Sequence, residues 1–467
     1  MSNLHRRAGA DRTDEALYVN PLYSGLIADG GVPRYRLPDG PMAPDAALAI
    51  IRDELMLDGN ARLNLATFCT TWMEPQAREL IGECLDRNMI DREEYPQIAE
   101  LEGRCVNMLT ELWNDPGHAG IGCSTAGSSE AAMLGGLAMK FAWRERRRAA
   151  GEPADRPNLV MGTNTHVCWP KFCRYWDVEQ RSVPISGRPG GSGPRLDPGE
   201  VLRHCDENTI GVVTVLGSTQ TGSYDPVAEI AAALDRLEAE RGIAVPIHVD
   251  AAGGGFVAPF LQPDLVWDFR LPRVRSINAS GHKYGLVYPG VGWVVWQDAA
   301  DLPAELVLKT NVLGGPQETF TLNFSRSGAP VAAQYYNFLR LGFEGYRQVQ
   351  QTCQDVALRL SGRIAELDGL ELLTDGGDLP VFTVRLSDGV EGFTVHDLSD
   401  RLRRRGWQVP AYSLPPAMED VSVLRFVVRN GFSGDTADKL LADLREALHA
   451  LRAARRPLPR MRTALAH

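Results

Sequence analysis

Ser280-Gly281-His282-Lys283-Tyr284-Gly285 follows directly on a short apolar strand, Val274–Ile277. Four more runs have the same form: Leu159–Met161, Ile210–Leu216, Val245–Val249 and Gly292–Trp296. Several end in Gly, Ser, Thr, Asp or Asn, and helical patterns lie between them. Leu101, Met108, Leu109 and Leu112, for instance, suit one face of a helix. Strands alternating with helices imply α/β layers around a largely parallel sheet. Ligands of such sheets bind beyond the strand C-termini, so the polar residues after these strands are the candidates for function.

The first candidate is the lysine of the opening segment. A lysine in a Gly-rich turn at a strand end can form a Schiff base, because its amine can approach a bound aldehyde. Ser280 and His282 beside it can hydrogen-bond a phosphate. A surface loop lysine accounts for these six residues equally well, so the segment needs company. It has company in His248-Val249-Asp250-Ala251-Ala252-Gly253-Gly254. An aspartate at the end of an apolar strand is poorly solvated and needs a positive partner. A protonated pyridine nitrogen is one, and keeping it protonated lets a cofactor act as an electron sink. Ala251 and Ala252 are small enough for a flat ring to lie against them. A metal-binding or helix-capping aspartate is the alternative. Lys283 and Asp250 on two strand ends say more together than either alone.

Gly127-Ser128-Ser129-Glu130 opens a helical run through Ala131, Leu134, Leu137 and Phe141. Amides and hydroxyls at a helix start form an anion site, though an ordinary serine cap is the commoner use of such a tetrapeptide. His166, after Leu159–Met161, can stack on a ring or simply sit in a loop. Thr219, after Ile210–Leu216, can bond a phenolic oxygen or a carboxylate, or merely shape a turn.

The rest of the 467 residues sets the frame. Residues 1–62 read as an arm broken by Pro21, Gly25, Gly30, Gly31, Pro33, Pro38, Gly40 and Pro41. A short helix follows Pro44, with Leu48, Ile51 and Leu55 on one side, and Asp58-Gly59-Asn60 makes a turn. Residues 63–352 form the large domain. In 353–467 the pattern changes to strands at Leu379–Leu386 and Val421–Val428 and helices at Val395–Arg405 and Thr436–Arg456, a small C-terminal α+β domain. Gly187–Pro194 is the clearest surface loop.

A net charge of −10 does not suggest nucleic-acid binding. Eight cysteines spread along the chain, with no CxxC, fit free and mostly buried thiols rather than zinc or a disulfide framework. With no secretory signal and no run of ~18 apolar residues, the expected compartment is the cytoplasm.

The segments together resemble the pyridoxal-phosphate-dependent glutamate decarboxylases, of the fold-type-I, aspartate-aminotransferase-like class. The likeness covers most of the chain. It includes Leu57–Arg62, Asn64–Phe68, Asp91–Pro96, Gly127–Glu130, Lys171-Phe172 and Tyr175–Glu179. It continues through His248–Ala252, Trp267–Val274, Ser280–Lys283, Asn323–Arg326 and Arg405–Pro410. The lysine and aspartate motifs are shared by many related decarboxylases. The blocks around 57–68, 91–96 and 267–274 are particular to the glutamate enzymes.

The resemblance implies an α/β fold with a mainly parallel seven-stranded sheet, and pyridoxal 5′-phosphate as cofactor. It places the Schiff-base lysine at Lys283, the pyridine partner at Asp250 and a ring contact at Ala252. It gives the phosphate to Ser128, Ser129, Ser280 and His282, with Ser325 from an adjacent subunit. Thr67 and Phe68, with Asn88 and Asp91 from a neighbour, match the region that receives the distal carboxylate of L-glutamate. An aspartate beside a carboxylate requires one of the two to be protonated, which fits activity in acid. Arg425 matches the α-carboxylate region; a strand-edge arginine is its structural alternative.

The implied assembly is a homo-oligomer, from a dimer up to a hexamer, with sites at subunit interfaces. The implied role is glutamate catabolism or acid resistance. Two positions depart from the family. His166 stands where many glutamate decarboxylases place a glutamine, and Gly253 replaces a serine. His467 could reach a site as a tail histidine does in some relatives. The basic tail, Arg452, Arg455, Arg456, Arg460 and Arg462, lacks the anchoring Trp of a calmodulin target. Rival readings are a decarboxylase for aspartate, cysteine sulfinate or an aromatic amino acid, a carbon–carbon lyase or aminotransferase, and a cofactor-bearing protein without activity.

Overall fold

A computed structural model describes residues 35–117, 120–187, 190–311 and 317–453. The chain divides into two compact units between Asn60 and Ala61. In the first, helix α1 (Pro44–Leu55) starts on a proline in its first turn and carries the expected Leu48, Ile51 and Leu55. The expected breaks at residues 21–33 lie outside the described residues. So do His467 and the tail arginines beyond Arg452.

The second unit is built on a sheet of seven strands. They are β1 (Ile121–Thr125), β2 (Asn158–Gly162), β3 (Glu179–Val183), β4 (Thr209–Val215), β5 (Ile247–Asp250), β6 (Val274–Ala279) and β7 (Gly292–Trp296). Their order across the sheet is β1-β7-β6-β5-β4-β2-β3. From β3 to β6 all neighbours are parallel, and β7 runs antiparallel to both β6 and β1. Only β7 is reversed, so the C-terminal ends of the other six share one edge. Strands β2, β4, β5 and β7 are buried throughout. That is why they read as unbroken apolar runs. Sequence reasoning missed β1 and β3. Each lacks such a run, and β3 is a mostly exposed edge strand, Glu-Gln-Arg-Ser-Val.

Helices α2 (Pro75–Glu83), α3 (Pro96–Leu112), α4 (Ser128–Ala149), α5 (Cys168–Tyr175), α6 (Pro198–Arg203), α7 (Val227–Arg241) and α8 (Ala258–Leu261) accompany the sheet. On α3 the buried stripe is Ile98, Glu102, Cys105, Val106 and Leu109. Met108 is exposed, so the face expected from sequence was turned by one residue. The long α9 (Ala329–Ala365) bends at Gly342, whose φ of 56° and ψ of −171° are non-helical. Its Tyr346 packs into the core around the sheet, while Cys353, Ala357, Leu360 and Ile364 pack into a second core.

After the hairpin β8 (Leu308–Thr310) and β9 (Gln317–Thr319), that second core covers an antiparallel sheet. Its strands are β10 (Leu370–Thr374), β11 (Val381–Leu386), β12 (Ala411–Ser413) and β13 (Ser422–Val427), in the order β10-β11-β13-β12. Phe382 and Phe426 stack at 4.8 Å on neighbouring strands. Two helices complete it. One is α10 (Val395–Arg403), opened by a Thr394–Asp397 capping box and two residues shorter than expected. The other is α11 (Gly434–Ala453), whose last residue is the last one described. Among the described residues no helix is long and apolar enough to cross a membrane. All eight cysteines are free, and five are buried.

Candidate active site

The shared edge of strand ends opens into a cavity of about 450 Å3. The turn after β1 lines it with Ala126–Glu130, and the loop after β2 with His166. Gly217 and Thr219 come from beyond β4, Asp250 from the end of β5, Ala252 from just after it, and His282 and Lys283 from beyond β6. Asn323 arrives from the segment before α9.

Lys283 is held by its backbone. Thr70 donates its amide to the His282 carbonyl at 2.8 Å and its hydroxyl to the Lys283 carbonyl at 2.7 Å. The amine lies 5.1 Å from the centre of the Phe68 ring. Burial pulls its pKa below the ordinary lysine range, against the opposing charge of Asp250. A Schiff-base lysine needs that access to the neutral amine.

Across the cavity Asp250 is 3% exposed. One carboxylate oxygen accepts from Trp169 Nε1 at 2.9 Å. The other accepts from Asn278 Nδ2 at 3.0 Å and the Ala252 amide at 3.2 Å. Donors surround it, an environment suited to an anion.

The start of α4 faces the turn after β6. The Ser128 and Ser129 amides at its start have no intrahelical acceptor, and the Ser280 hydroxyl donates to Ser128 Oγ at 2.6 Å. Gly127 permits the close approach, since a Cβ there would sit 3.2 Å from His282 Cε1. His282 Nδ1 is buried and meets no hydrogen-bond partner among the described residues. Burial, followed by the Lys283 charge, pushes this imidazole down to about 4. Amides, two hydroxyls and an unsatisfied imidazole nitrogen thus converge on one end. Glu130 does more than cap: it accepts from the Ala126 amide at 2.8 Å and the Leu322 amide at 2.9 Å. This ties the helix start to the segment bearing Asn323.

His166 lines the cavity, its pKa lowered chiefly by burial. Its Nδ1 accepts from the Cys168 amide at 3.3 Å. The Thr219 carbonyl accepts from Arg425 Nη1, and the Ala66 carbonyl from Arg425 Nη2. Arg425 is buried on β13, an inner strand between β11 and β12. The strand-edge alternative is therefore corrected. Its guanidinium lies 5.2 Å from the Phe68 ring centre, and its Nε has no partner among the described residues.

Other expected site residues stand apart. Asn88 Nδ2 donates to Ser325 Oγ at 3.4 Å, and Asp91 accepts from the Glu94 amide at 3.2 Å. Neither Asn88, Asp91, Ser325 nor Thr67 is among the lining residues; Thr67 Oγ1 accepts from the Cys69 amide. Sequence reasoning missed Cys168, Trp169, Asn278 and Asn323. The spacing His248-x-Asp250 on β5 beside Ser276-x-Asn278-x-Ser280 on β6 was a usable signal for Asn278.

A family model described as "Pyridoxal-dependent decarboxylase conserved domain" matches residues 38–384. The chain belongs to the pyridoxal-dependent decarboxylases. It is 53% identical to a glutamate decarboxylase of Aliivibrio fischeri over 433 residues, 92% of either chain. It is 46% identical to glutamate decarboxylase beta of Listeria monocytogenes, over 93% of this chain and 94% of that one. A solved Lactobacillus brevis glutamate decarboxylase superposes with a TM-score of 0.88 at 47% identity, covering 93% of this chain and 98% of its own. The α/β fold and pyridoxal phosphate as cofactor, expected from the sequence, accord with this family. The cavity fits such a group. It offers a buried amine, an anion ringed by donors and an anion cradle with an unsatisfied imidazole nitrogen.

Proposed function

We propose that this chain converts L-glutamate and one proton to 4-aminobutanoate and CO2. The observation that carries the reading is the convergence of Lys283, Asp250 and the Gly127–Ser129 cradle on one cavity, in a chain 53% identical to a glutamate decarboxylase. When bound, pyridoxal 5′-phosphate supplies an electron sink for the pair left behind as the carboxylate departs. The protein's share is orientation and charge. Lys283 would hold the cofactor covalently and Asp250 would serve its ring nitrogen. Ala252 and His166 would contact the ring, and Thr219 would bond a polar group of the cofactor. Ser128, Ser129, Ser280 and His282 would take the phosphate.

For the substrate, Arg425 keeps one unsatisfied buried N–H, a fitting donor to the α-carboxylate. Thr67 and Phe68 belong to a segment pinned at Thr70 to the lysine turn. Asn88, Asp91 and Ser325 lie off their own cavity, which supports a homo-oligomer in which they complete a neighbour's site. A cytoplasmic setting and a role in acid resistance or glutamate catabolism are consistent with a reaction that takes up a proton. We divide the chain functionally at 1–62, 63–352 and 353–467, with the chemistry in the middle segment and Arg425 contributed by the last.

The test is product identification after incubation of the cofactor-loaded protein with L-glutamate, L-aspartate, cysteine sulfinate and aromatic amino acids. CO2 and 4-aminobutanoate from glutamate alone are expected. Preference for another member of the set would remove the substrate assignment and point to His166.

A further inference from the structure

Behind Asp250 lies a chain of buried polar groups that the chemistry above does not use. Strands β5 and β6 pair with Asp250 beside Asn278 and His248 beside Ser276. Alternate residues of a strand share a face, so these four side chains form one patch on the sheet. All are buried, His248 and Asn278 completely. Helix α4 closes over the patch at Gly135, where a Cβ would overlap the His248 ring. Trp169 packs edge-on against the same ring, with centroids 5.0 Å apart, and donates to Asp250.

The direction of every hydrogen bond follows from the first. An ionised carboxylate only accepts, so at 3.0 Å Asn278 presents its Nδ2 to Asp250. Asn278 Oδ1 then points the other way and must accept. Its partner is His248 Nε2 at 2.7 Å, which therefore carries the hydrogen. Burial lowers the His248 pKa and favours the neutral ring. Nδ1 is then a lone pair, and the Ser276 hydroxyl donates to it at 2.7 Å. All three links point toward Asp250.

We propose that His248 and Asn278 are positioning residues, a one-way relay from Ser276 that locks Asp250 as an acceptor facing the cavity. The inference rests on the assignment of Asp250 to the cofactor's ring nitrogen. With a neutral ring, reversing any link would set donor against donor or acceptor against acceptor in a dry interior, leaving a buried group unsatisfied. The relay thus keeps Asp250 from rotating, which would weaken its hold on a protonated ring nitrogen.

The first test needs neither cofactor nor activity. In the cofactor-free protein labelled with 15N-histidine, the His248 signal, assigned by its loss in His248→Gln, should show a neutral ring protonated at Nε2. A ring protonated at Nδ1, or a cation, overturns the relay. The second test uses the loaded enzyme. A glutamine can offer an N–H where His248 Nε2 stands, and a leucine cannot. His248→Gln should therefore keep about tenfold more kcat and cofactor retention than His248→Leu, with KM for glutamate little changed. Equal impairment of the two variants, each folded by circular dichroism, overturns the proposal. If the wild type shows the expected tautomer but releases nothing from glutamate, the relay stands and the substrate reading falls.

Discussion

At the end of the cavity that carries Lys283 and Asp250, the ends of neighbouring strands in one chain bring the lining groups together. At the end assigned to the distal carboxylate, Phe68 lies with its ring centre 5.1 Å from the Lys283 amine, while Asn88 and Asp91 engage residues outside the cavity. The difference has a physical origin. A residue on a strand end is fixed by sheet register, so its position follows from the pattern that makes the strand. Asn88 and Asp91 lie between α2 and α3, a connection that no ladder pins to the site. The first end gathers most of its groups within one chain, and the proposed homo-oligomer would bring Ser325, Asn88 and Asp91 from a neighbour.

The sharpest attack on the first end is Asp250→Asn. The new NH2 would face either Trp169 Nε1 or the Asn278 Nδ2 and Ala252 donors, and the ring nitrogen would lose its anion. The expected cost is about 100-fold or more in kcat, with weaker cofactor retention by absorption spectroscopy. Unchanged kcat would dissolve the assigned role. The shared end is broken differently. Asp91→Ala and Lys283→Ala subunits are each expected to be nearly inactive alone. Dissociated, mixed and reassociated, they should regain a measurable fraction of wild-type activity, because a mixed interface restores one complete site. No recovery from a demonstrated mixed oligomer would place Asp91 in its own chain's site or outside any site.

Arg425→Lys tests the join between the ends. A lysine's three N–H bonds radiate from one nitrogen, so it cannot span the two carbonyls and the Nε position as the guanidinium fork does. KM for glutamate should rise about tenfold, with a smaller change in cofactor affinity. An unaltered KM would detach Arg425 from the substrate.

The smallest effect is on stability. The His282 imidazole is pushed from 6.5 to about 4 in the folded, cofactor-free protein. Between those values the unfolded chain binds the extra proton, so stability must rise with pH there and fall as the solution is acidified. Thermal melts of the cofactor-free protein should show that slope, and His282→Gln should flatten it. His166 and His248 also shift downward, so the informative quantity is the difference between the two proteins. Identical slopes would show that His282 is not held neutral.

Much of this was legible in the sequence because burial writes itself into composition. Strands covered on both faces, such as Ile210–Val215, are mostly apolar, and the polar residues at and just beyond their ends mark the site edge. The edge strand Glu179–Val183 has no such duty and left no trace. Arg425 looked like an edge residue because the Ala411–Ser413 strand that makes β13 an inner strand is three residues long. Asn278 went unread because its polar spacing with Ser276 gains meaning only once the register that sets it opposite Asp250 is known. Asn323 reaches the cavity only through Glu130, a contact far apart in sequence.

The most direct test of the central claim follows L-glutamate labelled at its α-carboxylate, supplied to the cofactor-loaded enzyme and to Lys283→Ala at acid and neutral pH. The account predicts labelled CO2 and 4-aminobutanoate in equal amounts, one proton consumed per turnover, and at least about a 1,000-fold loss in the variant. Cofactor bound at Lys283 with no labelled CO2 released at either pH would contradict it.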